Sequence, residues 1–276
     1  MKTVHLRDTS LACIDQGEGD PVIFVHGSLG SFQDFAPQVD FFSRTHRTIA
    51  YSRRFHPPNP APGPADSYSL SEQSGDLAEI IQSLVIGPST VVASSLGAYV
   101  SLICAVRHPH LFSRLILGEP PILVLLEKTL EGRAARGEFD TKVIGPARRA
   151  FEEGDEEGGV RAFFNGVAGN KLTFDQLALA ARGKLLAAGP ALHLELLSDP
   201  SEYMPELTDD QIRSVHVPVL LLNGQQSPRV FRLITDQLEQ LLSDTYRVLV
   251  PSAGHSMQLD NSEFYNAVVR EFLATE

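Results

Sequence analysis

The stretch Ser89-Thr90-Val91-Val92-Ala93-Ser94-Ser95-Leu96-Gly97-Ala98-Tyr99-Val100-Ser101-Leu102-Ile103-Cys104 decides the fold. Its first part is a short run with β-branched residues, the pattern of a buried strand. Its second part puts Leu96, Val100, Ile103 and Cys104 on one face at helical spacing. Only the residues from Ala93 to Gly97 remain to turn the chain. In so tight a strand-to-helix turn, side chains two positions before and after the apex meet neighbouring backbone and must be small. Centred on Ser95, those positions are Ala93 and Gly97; centred on Ser94, they would be the bulkier Val92 and Leu96. Ser95 therefore stands at the apex, where a hydroxyl is presented as a candidate nucleophile.

On both sides of this stretch, strand-like runs alternate with helical patterns, which is how a mostly parallel sheet with crossover helices reads. Val22-Ile23-Phe24-Val25 and Thr48-Ile49-Ala50-Tyr51 are buried strands, and residues 3 to 15 form a leading hairpin. Ser69-Leu70-Ser71-Glu72 has capping-box spacing and starts a helix whose apolar face carries Leu70, Leu77, Ile80, Ile81 and Leu84. Arg114-Leu115-Ile116-Leu117 is a strand closed by Gly118-Glu119-Pro120-Pro121, because proline has no amide to pair. After the midpoint come the strand Val217 to Leu222, a helix from about Pro228 to Leu242, the strand Tyr246 to Val250 and a helix from Ser262 to Leu273. The prolines between Pro57 and Pro64 mark a rigid extended loop inside this alternation. From Ile122 to about Asp210 the texture is helical, with an acidic turn from Glu152 to Gly159. The expected fold class is α/β: a doubly wound, mostly parallel sheet, with a core of residues 1–121 and 211–276 and a helical cap inserted over 122–210.

The 276 residues carry 34 acidic against 23 basic side chains, a net charge of −11. That surplus repels phosphate backbones and anionic lipid surfaces, so neither nucleic acid nor membrane is an expected partner. A small-molecule substrate is, with the chain a monomer or homodimer. Cys13 and Cys104 stand far apart in no paired or metal-type spacing, which suits a reducing compartment. The segment Met1 to Asp8 has no secretory apolar run, and a cytoplasmic protein is expected. No HEXXH, CXXC or phosphate-cradling loop occurs, so neither metal nor organic cofactor is expected.

Two further loops offer partners for Ser95. His26-Gly27-Ser28-Leu29-Gly30 leaves the first buried strand, and its glycines let the Ser28 amide turn toward a developing oxyanion together with the amide of Leu96. Ser252-Ala253-Gly254-His255-Ser256-Met257 leaves the last strand and offers His255 as general base. Candidate substrate contacts are His26, Leu29 and Arg54 from the loops, and Ile122, Phe163 and Phe164 from the inserted segment.

The order and spacing of His26-Gly27-x-x-Gly30, Ala93-x-Ser95-x-Gly97-Ala98, Arg107-His108-Pro109 and Ala253-Gly254-His255 resemble the α/β-hydrolase superfamily over nearly the whole chain outside the insertion. The resemblance implies a serine–histidine–acid triad. It also exposes two departures. Of the family's D-x-R-G-x-G loop only Arg54 is matched, and Ser227 in Gly224-Gln225-Gln226-Ser227 stands where the triad aspartate would be. Glu119, at the end of the strand after the nucleophile helix, is the replacement, an arrangement similar to certain lactonases and dehalogenases. Asp236 and Asp260 are weaker candidates. The expected function is hydrolysis of a carboxylic ester or lactone through an acyl-enzyme on Ser95; a serine in place of aspartate argues against epoxide hydrolysis and dehalogenation. The alternatives are a non-hydrolytic enzyme on this fold (cofactor-free oxygenase, cyclase or lyase) using His255 as base, or a ligand receptor.

Overall fold

Eight strands, β1 (Lys2–His5), β2 (Ser10–Gln16), β3 (Pro21–Val25), β4 (Arg47–Tyr51), β5 (Ser89–Ser94), β6 (Phe112–Gly118), β7 (Val219–Gly224) and β8 (Thr245–Val250), join in one sheet of the computed structural model. The order is β1-β2-β4-β3-β5-β6-β7-β8. The described residues are 1–63, 66–84, 87–169 and 172–275. The hairpin β1–β2 joins β4 antiparallel, and the six strands from β4 to β8 are all parallel. The sheet is thus the mostly parallel, doubly wound one that the alternation predicts.

Side chains of successive strand residues leave opposite faces of a sheet, and two apolar layers follow from that rule. Ile23, Val25, Val91, Ala93, Leu115, Leu117, Val219 and Leu221 point into one. Helices α2 (Leu70–Leu84) and α3 (Leu96–Arg107) cover that face. Val22, Phe24, Val92, Ile116, Leu220 and Leu222 point into the other, covered by α1 (Ala36–Phe42) and two C-terminal helices described below. Strands apolar on both sides are the signature of a sheet buried between helices.

Between β6 and β7 the chain leaves the sheet for a run of helices, α4 (Leu130–Phe139), α5 (Gly145–Glu152), α6 (Glu156–Val167), α7 (Leu179–Ala187), α8 (Gly189–Leu197), α9 (Pro200–Tyr203) and α10 (Asp209–Arg213). It then closes with α11 (Arg229–Leu241), which lies in the same apolar layer as α2 and α3 and packs on β7, α4 and α10, and with α12 (Met257–Asp260) and α13 (Ser262–Leu273), which lie with α1 in the other layer. Two expectations need adjustment, and part of a third falls outside the described residues. The acidic turn spans only Glu153 to Asp155, because the Asp155 carboxylate caps α6 through the Gly158 amide at 2.9 Å and starts the helix early. β7 begins at Val219 rather than Val217, since Pro218 has no amide for the ladder. Pro64 of the proline-rich loop lies outside the described residues. No helix among the described residues is long and apolar enough to cross a membrane.

Leu221 is fully enclosed on β7, whereas Leu130 on α4 is 81% exposed. Truncating Leu221 to alanine removes buried methyl groups and leaves a cavity, and should cost about 2–5 kcal/mol. Leu130→Ala should change stability by no more than about 0.5 kcal/mol. Urea unfolding of the two variants checks the contrast.

Candidate active site

The parallel strands deliver their C-terminal ends to one edge of the sheet, which is where α/β folds gather functional groups. β5 ends at Ser94 and α3 begins at Leu96, so Ser95 alone makes the reversal, with φ 53° and ψ −128°. A non-glycine residue in this region stores roughly 1–3 kcal/mol of strain and persists only when its surroundings enforce it. Here they do: the Ser95 amide donates to the Gly118 carbonyl at 2.7 Å, which ties the apex to β6. At Gly97, α3 lies so close to the end of β3 that a Cβ would strike the carbonyl oxygens of Val25 and His26. Ser95 keeps partial solvent exposure while Ser94 and Leu96 on either side are buried.

β6 ends one residue before Glu119, itself held at φ 50° and fully buried. A buried carboxylate needs its oxygens paired. Glu119 Oε2 accepts from His255 Nδ1 at 2.6 Å, and Oε1 accepts from the Gly224 amide at 2.9 Å and from Asn223 Nδ2 at 3.3 Å. The carboxylate thus spans from the imidazole to the end of β7. On its other side the imidazole stacks on the Phe231 ring at 4.2 Å and 17°. The rival acids are engaged elsewhere: Asp260 accepts from the Gly254 amide at 2.8 Å and Asp236 from Arg247 at 2.6 Å. Ser227, at the position where the resemblance puts an aspartate, has a buried hydroxyl without a hydrogen-bond partner among the described residues.

The loop after β3 sits directly on the apex, since a Cβ on Gly27 would come within 2.9 Å of Ser95 Cβ. Among the described residues the amides of Ser28 and Leu96 donate no backbone hydrogen bond, which leaves both available as donors. Arg53, only 1% exposed, clamps this loop. Its Nε donates to the His26 carbonyl at 2.9 Å and Nη2 to the Gly27 carbonyl at 2.8 Å, while Nη1 reaches Tyr68 Oη and Gln73. The Arg53 amide also donates to His26 Nε2 at 2.9 Å, which assigns the ring proton to Nδ1, 2.8 Å from the Gly27 carbonyl. Burial and the Arg53 charge hold His26 and His56 well below the ordinary imidazole range.

This placement separates the expected substrate contacts. His26 is bonded through both nitrogens and enclosed behind the loop, so it supports the site rather than facing a substrate. Arg54 turns the other way, to Asp76 at 2.6 Å, Asp8 at 2.7 Å and Glu72 at 3.1 Å, because three acids outside the site claim its guanidinium. Ile122 is fully enclosed in the apolar layer and contributes packing. Leu29 and Phe164 are half-buried and Phe163 buried against the same layer, Phe164 with its ring 6.4 Å from Phe174.

The inserted helices meet this edge through groups that sequence reasoning missed. Ser28 Oγ donates to Glu195 Oε1 at 2.9 Å, Tyr99 Oη to the Pro205 carbonyl at 2.6 Å, and the His255 amide to the Ala168 carbonyl at 3.4 Å. Glu195 had a signal: it shares a helical face with Ala191 and Leu192, which are fully buried. Burial pushes the Glu195 carboxyl up to about 7, although Arg53 and Ser28 oppose the rise. Asp34, beside Gly30 of the same loop, is likewise pushed to about 7 by burial. Phe231 and Tyr68 read as core residues by spacing, and nothing in their pattern marks them as polar-site neighbours.

Residues 20–262 match the family model described as the alpha/beta hydrolase fold. The chain is 24% identical over 283 residues to 2-(acetamidomethylene)succinate hydrolase of Mesorhizobium japonicum, covering 99% of this chain and 94% of the relative. Among solved structures it resembles Est816, described as an N-acyl homoserine lactone degrading enzyme, with a TM-score of 0.73, 19% identity and coverage of 98% and 100% of the two chains. It likewise resembles the carboxylesterase CesB of Bacillus subtilis, with a TM-score of 0.74, 19% identity and coverage of 99% and 90%.

The Glu195 carboxyl gives a signed dependence on pH. Between its ordinary value of 4.5 and about 7 the folded state keeps a proton that the unfolded state has lost. Raising the pH through that window therefore lowers stability, by about 1.4 kcal/mol per pH unit. Glu195→Gln removes the term, so its stability should gain on wild type from pH 5 to pH 8, by up to about 3 kcal/mol in all, and its thermal midpoint should rise relative to wild type accordingly. Melting curves at the two pH values measure it; a constant difference would show that Glu195 holds no such proton.

Proposed function

The chain belongs to the α/β hydrolase fold family, and on that premise we propose that it is a serine hydrolase cleaving a carboxylic ester or lactone of a small to medium-sized molecule through an acyl-enzyme on Ser95. The observation that carries the reading is the 2.6 Å contact of Glu119 Oε2 with His255 Nδ1. With that nitrogen donating to the carboxylate, Nε2 keeps its lone pair, the tautomer a general base needs. His255 then takes the Ser95 proton as Oγ attacks the carbonyl carbon. The amides of Ser28 and Leu96 receive the oxyanion, and Glu119 balances the imidazolium. Collapse of the tetrahedral intermediate breaks the acyl–oxygen bond, and the imidazolium gives its proton to the departing alcohol. Water, deprotonated by the same histidine, attacks the acyl-enzyme and frees the acid and Ser95. The inserted helices act as a cap whose apolar residues, Phe163 and Phe164 among them, roof the substrate.

The Mesorhizobium relative is by name a hydrolase of a succinate derivative. In this chain both arginines after β4 are engaged, Arg53 by the loop after β3 and Arg54 by Asp8, Glu72 and Asp76. Neither is left to bind a substrate carboxylate. That favours a neutral ester or lactone over a succinate derivative.

A fluorophosphonate probe should modify Ser95 in the wild type, read by mass spectrometry of the labelled peptide, and should leave Ser95→Ala untouched. Hydrolysis of p-nitrophenyl butyrate should vanish in Ser95→Ala and fall by about 10³–10⁴ in kcat in Glu119→Gln, as when other triads lose their acid. Ser227→Asp should change it little. Full turnover in Glu119→Gln would remove that residue from the mechanism, and full turnover in Ser95→Ala would end the acyl-enzyme reading.

A further inference from the structure

Arg53 takes no part in the proton and acyl transfers above, yet it is among the largest side chains fully enclosed in the protein. Its neighbour Arg54 takes Asp8, Glu72 and Asp76, and among the described residues no carboxylate pairs with Arg53. Glu195 feels the guanidinium charge, but burial lifts that carboxyl to about 7, so it is no fixed counter-ion. A buried charge without an ion pair is costly unless something uses it. Its side-chain hydrogen bonds go to neutral partners: the carbonyls of His26 and Gly27, the Tyr68 hydroxyl and Gln73 Oε1.

The sheet register explains the placement. β3 and β4 run parallel with Val25 beside Tyr51, which brings the residue two past Tyr51 alongside the loop that leaves β3. Arg53 grips that loop three times, with its amide on His26 Nε2 at 2.9 Å, Nε on the His26 carbonyl at 2.9 Å and Nη2 on the Gly27 carbonyl at 2.8 Å. The peptide joining Gly27 to Ser28 is trans. In a planar trans peptide the N–H points opposite to the C=O, so holding the Gly27 carbonyl on Arg53 turns the Ser28 amide away from it. Among the described residues that amide donates to no backbone carbonyl. Gly27 itself lies against the nucleophile, since a Cβ there would fall 3.5 Å from Ser95 Oγ.

Resting on the hydrolase reading above, we infer that Arg53 is the positioning residue of the oxyanion site: its two-pronged hold on the His26 and Gly27 carbonyls aims the Ser28 amide at the oxygen that becomes negative, and its unpaired charge strengthens that donor through the shared peptide. Hydrogen bonds in series polarise one another. A planar fork fixes two carbonyls where a single ammonium fixes one. Because charge reaches that oxygen only as the tetrahedral intermediate forms, the benefit falls on kcat rather than on KM.

The test takes the full chain as wild type, Arg53→Met and Arg53→Lys. The substrate is p-nitrophenyl butyrate and the probe is 1,1,1-trifluoro-2-hexanone, a ketone to which Ser95 adds to leave an oxyanion in place of the carbonyl oxygen. Arg53→Met should lose about 10²–10³ in kcat, the effect of losing one oxyanion donor. Its KM should stay within about threefold of wild type, and its inhibition constant for the ketone should rise by the factor that kcat/KM falls. Arg53→Lys, which keeps a charge but not the fork, should lose about tenfold. Unchanged kcat in either variant overturns the inference. So does a loss confined to KM, or a loss of kcat that leaves the ketone's affinity intact. If melting curves show that neither variant folds, the guanidinium is a structural hold and the inference falls. It falls too if the wild type turns over no ester; labelling of Ser95 by the fluorophosphonate in that sample spares the hydrolase reading, and absence of labelling removes both.

Discussion

Reversing the chain from β5 into α3 within one residue demands a backbone conformation that a serine adopts only under compulsion, and most of the surrounding architecture supplies that compulsion. The Gly118 carbonyl holds the Ser95 amide from β6, the end of β3 packs against Gly97, and Gly27 lays the neighbouring loop on the serine itself. These contacts join the two strands flanking β5, β6 and β3, to the apex. The three neighbouring strands β3, β5 and β6 and the elbow are therefore one constraint: without the flanking strand ends the turn would relax, and without the turn the hydroxyl would not stand at the open edge of the sheet.

Glu119 applies the same economy to charge. By accepting from the β7 amide at Gly224 as well as from His255, one carboxylate at the end of β6 ties two loops together at the histidine. In the proposed triad this frees the position after β7, where Ser227 stands, from supplying the acid. Arg53 makes a comparable exchange: a cation next to the site serves the loop backbone through the His26 and Gly27 carbonyls.

The sheet was legible because its strands are apolar on both faces and its helices carry one apolar stripe, so the period of the pattern reports the layers directly. The apex was legible for a steric reason, since only one of two adjacent serines has small residues on both sides. Glu119 could be picked out because proline residues mark the end of its strand, although the three partners of its carboxylate lie 104, 105 and 136 residues further on, beyond the reach of any local pattern. What stayed hidden depends on how the inserted helices dock. Arg54 and His26 were expected at the substrate because their types suit it, but residue type says nothing of which neighbour arrives first. Three acids reach Arg54, and Arg53 reaches the loop that encloses His26. Glu195 became part of the site only when α8 lay across Ser28.

The ring of Phe231 lies flat against His255, and its own edge meets Phe139 of α4, 5.9 Å away. In the proposed reaction the imidazole becomes a cation, and the electron-rich face of an aromatic ring attracts a cation at that distance. Phe231 would then lend the charged intermediate an attraction that draws on no second charged group. Because Phe139 belongs to the inserted helices, that attraction is also mechanically exposed to them. Any shift of α4 would reach the imidazole through two rings in series, so in the proposed reaction the inserted helices and the base could not be tuned independently.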